Sequence, residues 1–436
     1  MSNEYIPKEK EIYNMAKSIK RIISYICIIA IIGCMWGCAC GSGKETSGKE
    51  TLDNQGSTST TVDDSKDDSS TDDSSTEDET TNIEDETTSI EDETTEEITT
   101  SEADTDKPGI GEGTTQSPAV VPDDKPDNDA ATAGTPYGDH GKLSVSGTQL
   151  VDKNGKSYQL KGVSTHGISW FPQYVSYDTF KYLRDEWGAN VVRIAMYTAE
   201  YNGYCSGGNQ NELKALVKKG VDAATELGLY VVVDWHILQD NNPWNNKDAA
   251  VAFFKEISSQ YKNQDNIIYE ICNEPNGGTS WGDIKSYANE IIPVIRANDP
   301  DAIIVVGTPT WSQDVDTASW DKITGYDNIM YTLHYYAATH KQWLRDKAQT
   351  AINNGCALFV TEFSICDASG NGALDKAEAN LWLQFLNKNG ISFIGWNLAN
   401  KNESSSLFLS SCNKISGFAD SDLSEWAKWL RDAIGE

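Results

Sequence analysis

Apolar and polar positions divide this chain into three zones. In the last zone short β-branched runs recur at a steady interval: YQLKGVS (158–164), NVVRIAM (190–196), YVVVDW (230–235), NIIYEI (266–271), AIIVVG (302–307), NIMYTLH (328–334), ALFVTEF (357–363) and ISFIGW (391–396). Amphipathic stretches of ten or more residues separate them, such as YDTFKYLRDEWG and NELKALVKKGVDAATELG. Eight β runs with α segments between them over about 300 residues predict a (β/α)8 TIM barrel, an α/β fold. The competing fold is an open doubly wound sheet, but the glycine-rich dinucleotide fingerprint that often marks one is missing after the first run. Ahead of the barrel, LSVSGTQLVDKNG alternates and turns like a small N-terminal β-hairpin, so folded sequence is expected to begin near Tyr137.

The two upstream zones read differently. Residues 41–136 are almost all Asp, Glu, Ser, Thr, Gly and Pro, and hold roughly three-quarters of the chain's net negative charge. Lys44–Lys107 has almost no aromatic residues, and predicts a disordered acidic linker with a short internal repeat, IEDETTS then IEDETTE. Residues 108–136 form a second, proline-containing stretch. A self-repelling tether that holds a domain off the cell envelope explains both better than an acidic binding tail does. The formal net charge of -31 therefore says little about what residues 137–436 bind. No basic stripe stands out there, which argues against a nucleic-acid partner.

Residues 1–40 read as an export segment: Lys17, Lys20 and Arg21 precede the apolar run IISYICIIAIIG. Ile31-Ile32-Gly33-Cys34 resembles a bacterial lipobox with Cys34 as the lipidated residue, and Met15 offers an alternative start to Met1. Two other readings stay open, an uncleaved signal anchor over Ile22–Ala39 and plain secretion. All three place the folded domain outside the cell, with a membrane as partner only through an N-terminal lipid or anchor. Of nine cysteines, Cys205, Cys272, Cys356, Cys366 and Cys412 fall in the domain, without metal-ligand spacing. They are expected to be mostly free thiols, with one bridge at most.

Chemistry in a barrel sits where its strands end. The first run leads to His166 and Trp170, the second to Arg193 and Tyr197, the third to Asp234-Trp235-His236, and the fourth to Asn273-Glu274 before Pro275 breaks it. Trp311 follows the fifth. His334 and Tyr336 end the sixth, Glu362 the seventh, and Trp396-Asn397 the eighth. A lone strand-end histidine or tryptophan is more often structural than functional, but eight ends carrying such residues are hard to explain by packing. Glu274 and Glu362 can face each other across the barrel mouth. Two carboxyls flanking a cleft are what glycosidic cleavage needs, one to protonate the leaving oxygen and one to attack or to activate water. Asn273 can bond a sugar 2-hydroxyl. Arg193 and Tyr336 can hold Glu362 ionised, and His236 and His334 can tune Glu274. Neither a catalytic metal nor a cofactor is expected, since no Cys/His/Asp cluster, serine elbow or phosphate loop is visible.

The sequence from about Gly141 to Trp429 resembles the glycoside hydrolase family 5 cellulases, in their bacterial endo-β-1,4-glucanase branch. The resemblance is carried by LKGVSTHGISWFPQYV, LRDEWGANVVRIAMYT, YVVVDWHIL, IIYEICNEPNG, VVGTPTWSQDV, YTLHYYAATH, VTEFSICDASGNG and GWNLANKNESSS, in that order. It implies a retaining double displacement on β-glucan, with Glu274 as acid/base and Glu362 as nucleophile. Arg193, His236, Asn273, His334, Tyr336 and Trp396 become the supporting set. His166, Trp170, Tyr197, Trp311, Ala368, Lys401 and Glu403 become cleft residues, and the enzyme a monomer. Phe363 and Ser364 depart from the family's usual Trp and Gly. The competing functions are another β-glycanase (mannanase, xylanase or xyloglucanase) and an inactive glycan-binding surface protein. One motif falls on the same loop: DASGNGALDKAE, Asp367–Glu378, comes close to a calcium loop, with Ser369 a weak third ligand and no helix before it.

Overall fold

A computed structural model describes residues 132–436. The export segment, Cys34, both candidate start methionines and the acidic linker up to residue 131 lie outside the described residues.

Strands β1 (Ser144–Ser146) and β2 (Gln149–Val151) pair antiparallel as the expected hairpin. Eight parallel strands follow: β3 (Lys161–Thr165), β4 (Val191–Tyr197), β5 (Tyr230–His236), β6 (Ile267–Glu270), β7 (Ile303–Val306), β8 (Ile329–Tyr336), β9 (Leu358–Ser364) and β10 (Ser392–Leu398). They close in sequence order, β10 pairing with β3, so the fold is the (β/α)8 barrel rather than an open sheet. The α segments end where their sequences say they should. The helix Tyr177–Trp187 starts on the Ser176 side chain and stops at Gly188 in the left-handed region (φ 75). The helix Trp281–Arg296 starts with a reciprocal capping box between Ser280 and Asp283.

Three strands, β3, β6 and β7, are shorter than their sequence runs. β3 begins at Lys161, because Tyr158 N donates to Leu150 O of the hairpin (2.9 Å) and Leu160 N to the Ser392 hydroxyl (2.9 Å). β6 stops at Glu270, so Asn273 and Glu274 lie beyond its end. The five domain cysteines are all free thiols, and the single bridge left open by their count does not form.

Strand residues alternate across the sheet wall. Val192, Ile194, Met196, Val231, Val233, Trp235, Tyr269, Ile304, Leu333 and Val360 point outward, into the large core between sheet and helices. Val191, Tyr230, Val232, Ile268, Ile303, Val305, Met330, Phe359 and Ile394 point inward at the N-terminal end of the barrel. There they pack with Tyr137 and with Leu143 and Leu150 of the hairpin, which plugs that end. One step further along the same inward face the side chains become Arg193, Asp234, Glu270, Thr332 and Thr361, each 0% exposed. Among the described residues no helix is long and apolar enough to cross a membrane.

Candidate active site

Past β6 the chain no longer sits in the parallel ladder, yet it is firmly held. Ile271 N donates to Val305 O (3.0 Å), Asn273 N to Trp235 O (3.2 Å) and Glu274 N to Ile237 O (3.3 Å). Gly307 permits this path, since a Cβ there would lie 2.3 Å from Cys272 O. Pro275 O accepts from Trp311 N (3.0 Å), and Ser312 Oγ donates to Asn273 O (2.6 Å). Thr310, Trp311 and Ser312 all have positive φ (58, 54 and 55), unusual for residues with a Cβ. That strained turn locks the segment bearing Glu274 to the rim bearing Trp311.

Arg193 organises the floor. Its Nε donates to Glu270 Oε2 (2.7 Å), Nη1 to Glu362 Oε2 (3.2 Å) and Nη2 to Asn273 Oδ1 (2.6 Å), with Asp234 Oδ2 3.0 Å from Nη2. One guanidinium therefore meets three buried carboxyls. Asn273 Nδ2 faces Ile237 O (3.2 Å) and His236 Nε2 (3.3 Å), while His236 Nδ1 meets Asp234 Oδ2 at 2.6 Å. His334 Nδ1 lies 2.9 Å from Glu274 Oε1, and Tyr336 Oη donates to Glu362 Oε1 (2.8 Å). One oxygen of Glu274, one of Glu362 and a ring nitrogen of His334 all fall within 4.8 Å of one another.

Burial drives the titration of this group. It lifts Glu274 well above the usual carboxylate range, and the neighbouring Glu362 adds to that. Burial also raises Glu362, but Arg193, His236 and the Tyr336 hydroxyl pull against it. Arg193 and Tyr336 thus contact Glu362 as the sequence suggested, without bringing it down to an ordinary carboxylate value. Burial thus favours the neutral form of both carboxyls, and the donors that oppose it, Arg193 Nη1 and Tyr336 Oη, are bonded to Glu362. Burial pushes His236 down to about 3 and His334 well below its usual value, so both rings are neutral.

Above the floor opens a cleft of about 650 Å³. All seven expected cleft residues line it, His166, Trp170, Tyr197, Trp311, Ala368, Lys401 and Glu403, and so does Trp396 of the supporting set. So do Glu274, Glu362, His236, His334 and Tyr336, while Arg193 and Asn273 are buried behind its wall. Aromatic rings pave one side: Trp170 and Tyr197 are 4.6 Å apart, and His236 stacks on Trp396 at 5.2 Å and 13°. Glu403 reaches Lys401 (2.5 Å) and approaches His166 (3.8 Å). Trp311 is 45% exposed, a free platform at the rim.

One expectation changes. His236 does not touch Glu274; the pleat turns its ring to Asp234, two residues back on the same face of β5. The loop Asp367–Glu378 does not gather ligands. Asp375 pairs with Lys341 (2.6 Å) and caps Glu378 N, Glu378 pairs with Arg345, and Asn371 Oδ1 accepts from Ser404. Phe363, the departure after Glu362, sits among Tyr335, Phe393 and Trp426, where an aromatic ring packs well. Sequence reasoning missed Glu200, Leu238, Gln313, His340, Ser369, Gly370 and Ser405 on the cleft wall, and the floor acid Glu270. His340 alone offered a signal, as one of only five histidines and six residues past a strand-end one.

Comparison with known proteins bears on the fold and the family. The profile of the cellulases of glycosyl hydrolase family 5 matches residues 151–402. Endoglucanase A of Butyrivibrio fibrisolvens is 49% identical over 300 residues, 68% of this chain and 69% of that one. An endoglucanase of Clostridium saccharobutylicum is 50% identical over 307 residues, 70% of this chain and 67% of its own length. Among solved structures, the catalytic domain of Thermobifida fusca endoglucanase Cel5A, in complex with cellotetraose, superposes with a TM-score of 0.66 at 36% identity. The match covers 70% of this chain and all (100%) of that domain.

Proposed function

The chain belongs to glycosyl hydrolase family 5, whose cellulase profile covers its barrel, and on that premise we propose that it is an extracellular endo-β-1,4-glucanase. It cuts internal bonds of β-glucans by a retaining double displacement. The observation that carries this reading is the acid pair: carboxyl oxygens of Glu274 and Glu362 within 4.8 Å of each other at the bottom of an aromatic-lined cleft. Retaining enzymes place their two carboxyls about 5–5.5 Å apart, and inverting ones about 6.5–9.5 Å, to admit a water.

Glu274, protonated, gives its hydrogen to the leaving glycosidic oxygen. Glu362, ionised beside Arg193 and Tyr336, attacks the anomeric carbon. The leaving chain departs, water enters, Glu274 takes its proton and the glycosyl–enzyme ester breaks. Trp396 and Trp170 offer flat faces to pyranose rings on one side of the cut, Trp311 on the other. His166, Lys401 and Glu403 offer hydroxyl partners. No ion or cofactor enters this scheme. The domains are an export segment (1–40), an acidic spacer (41–136) and the catalytic barrel (137–436). Lipidation at Cys34 tethers the enzyme to the cell surface, a reading supported by the lipobox-like residues and the acidic spacer.

The test uses the purified protein as wild type, Glu274→Gln and Glu362→Gln. Each is assayed for reducing ends on carboxymethyl cellulose, mixed-linkage glucan, mannan and xylan, with viscosity followed in parallel. Rapid viscosity loss on the glucans is expected, with either substitution lowering kcat by at least about a thousandfold. Activity confined to mannan or xylan would keep the mechanism and move the substrate. A well-folded wild type inactive on all four polymers would sink the proposal.

A further inference from the structure

Beneath the acid pair runs a hydrogen-bond chain that the hydrolysis scheme does not use. Glu270 is fully buried and serves as its anchor. Its Oε2 accepts from Arg193 Nε (2.7 Å), and its Oε1 from Thr361 Oγ1 (2.6 Å) and Thr332 Oγ1 (3.3 Å). Three donors converge on a group that, when ionised, can only accept.

The rest follows from counting hydrogens. The Thr361 hydroxyl has one hydrogen, and Glu270 in its ionised form takes it. Towards His334 Nε2, 2.9 Å away, Thr361 Oγ1 is then an acceptor. His334 is neutral, held so by burial and by the Arg193 charge, and has one ring hydrogen. That hydrogen therefore sits on Nε2. Nδ1 is left as a bare lone pair facing Glu274 Oε1 at 2.9 Å. Two acceptors do not bond to each other, so the hydrogen between them must be that of the Glu274 carboxyl.

We propose that Glu270 is a positioning residue that sets the direction of this chain, and through Thr361 and His334 holds Glu274 in its protonated form. The inference rests on the reading of Glu274 as the acid/base. It also accounts for the return step. Once Glu274 has given its hydrogen to the leaving oxygen, its carboxylate faces the His334 lone pair, an unfavourable contact. Taking a proton from the incoming water restores the bond, so the same chain favours the base role in the second half-reaction.

The charges around the chain are consistent with this direction. Glu270 is faced by Arg193, Asp234, Thr332, Thr361 and, at 4.0 Å, His334. Glu274 is faced by His334 and Glu362, with Arg193, Asp234 and Glu270 further back. Burial pushes Glu270 up to about 7 against the pull of Arg193. It is therefore anionic on the alkaline side, where Glu274 stands to lose its proton and the chain has work to do.

The experiment compares pH profiles of kcat/KM for the full-length wild type, Glu270→Gln, Thr361→Val, Thr361→Ser and Glu274→Gln. Two substrates are used, carboxymethyl cellulose and 2,4-dinitrophenyl β-cellobioside, whose leaving group needs no proton. In Glu270→Gln the amide N–H points at Thr361 and reverses the chain; in Thr361→Val the chain is cut. Both should move the alkaline limb on the polymer about one pH unit towards acid, roughly a tenfold loss at alkaline pH. Cleavage of the dinitrophenyl glycoside should stay within a few-fold of wild type, and Thr361→Ser should rescue the limb lost in Thr361→Val. The inference is overturned if the limb stays in place in both variants, or if the two substrates lose activity equally. Should Glu270→Gln not fold, the comparison of Thr361→Val with Thr361→Ser decides alone. Full polymer activity in Glu274→Gln would instead bring down the acid/base reading itself.

Discussion

The inside of the barrel has two halves that share strands and a face but follow opposite rules. Val191 and Arg193, Val232 and Asp234, Ile268 and Glu270 are each two residues apart on one strand, and each pair points inward. The N-terminal half is hydrocarbon, sealed by the hairpin through Leu143 and Leu150. Its residues stabilise the fold by leaving water. The C-terminal half is as deeply buried and holds one guanidinium among Asp234, Glu270 and Glu362. Such a cluster adds little to stability over an apolar filling, but removing one partner exposes the full desolvation cost of the rest. The barrel is thus a stable base that carries a strained electrostatic layer, and the acid pair stands on that layer.

Removing the shared cation should break the contrast most severely. In Arg193→Met the floor carboxyls lose their counter-charge. Urea unfolding should show a loss of about 3–5 kcal/mol, and activity on mixed-linkage glucan should nearly vanish. A stable, active variant would mean that the upper layer is not organised by charge. The matching change below, Ile268→Ala, should cost about 2–4 kcal/mol and leave kcat largely intact when assayed well under the unfolding temperature. A collapse of kcat there would show that the two halves are not separable.

The third prediction concerns pH. Burial pushes Asp234 up to about 7, with Arg193 opposing. A carboxyl raised on folding is held protonated longer in the native state than in the unfolded one. Its contribution to stability is complete below the unfolded value and is lost as pH rises through the folded one. Wild type should therefore lose stability relative to Asp234→Asn between about pH 4 and pH 7, by on the order of 1–3 kcal/mol. A flat or rising difference across that window, from urea unfolding at each pH, would contradict the assignment. The smallest effect is expected at the rim. Trp311→Ala should raise KM several-fold on soluble glucan while stability shifts by no more than about 0.5 kcal/mol, since the ring is half exposed. An unchanged KM would remove Trp311 from the cleft's working surface.

Much of this is legible in the chain because strands carry their function at one end. Eight β runs predict the barrel, and the residues at their ends, with the family resemblance, predict the cleft lining, including Lys401 and Glu403 just past the last strand. What is not legible depends on register and reach. The shift in pairing between β8 and β9, between Thr332 and His334, brings His334 level with Glu362, while Thr361 still reaches Glu270 and His334. No period-2 pattern shows such a shift. Glu270 reads as part of an apolar run, because a buried charge and a buried leucine occupy the same position in the alternation. Strand-end position pairs His236 with Glu274, although a residue two places back on its own strand is the nearer partner.

Sequence alone determined the order of elements, the class of fold and which residue types stand at the mouth, because hydrophobic period and chain breaks are local properties. Only the tertiary structure decided which partners each carboxyl meets, Arg193 and Tyr336 at Glu362 and His334 at Glu274. That depends on which donors and acceptors come together across β4, β8 and β9 and past the end of β6. A hydrogen bond across a barrel is fixed by closure of the sheet, and closure is written in no single segment.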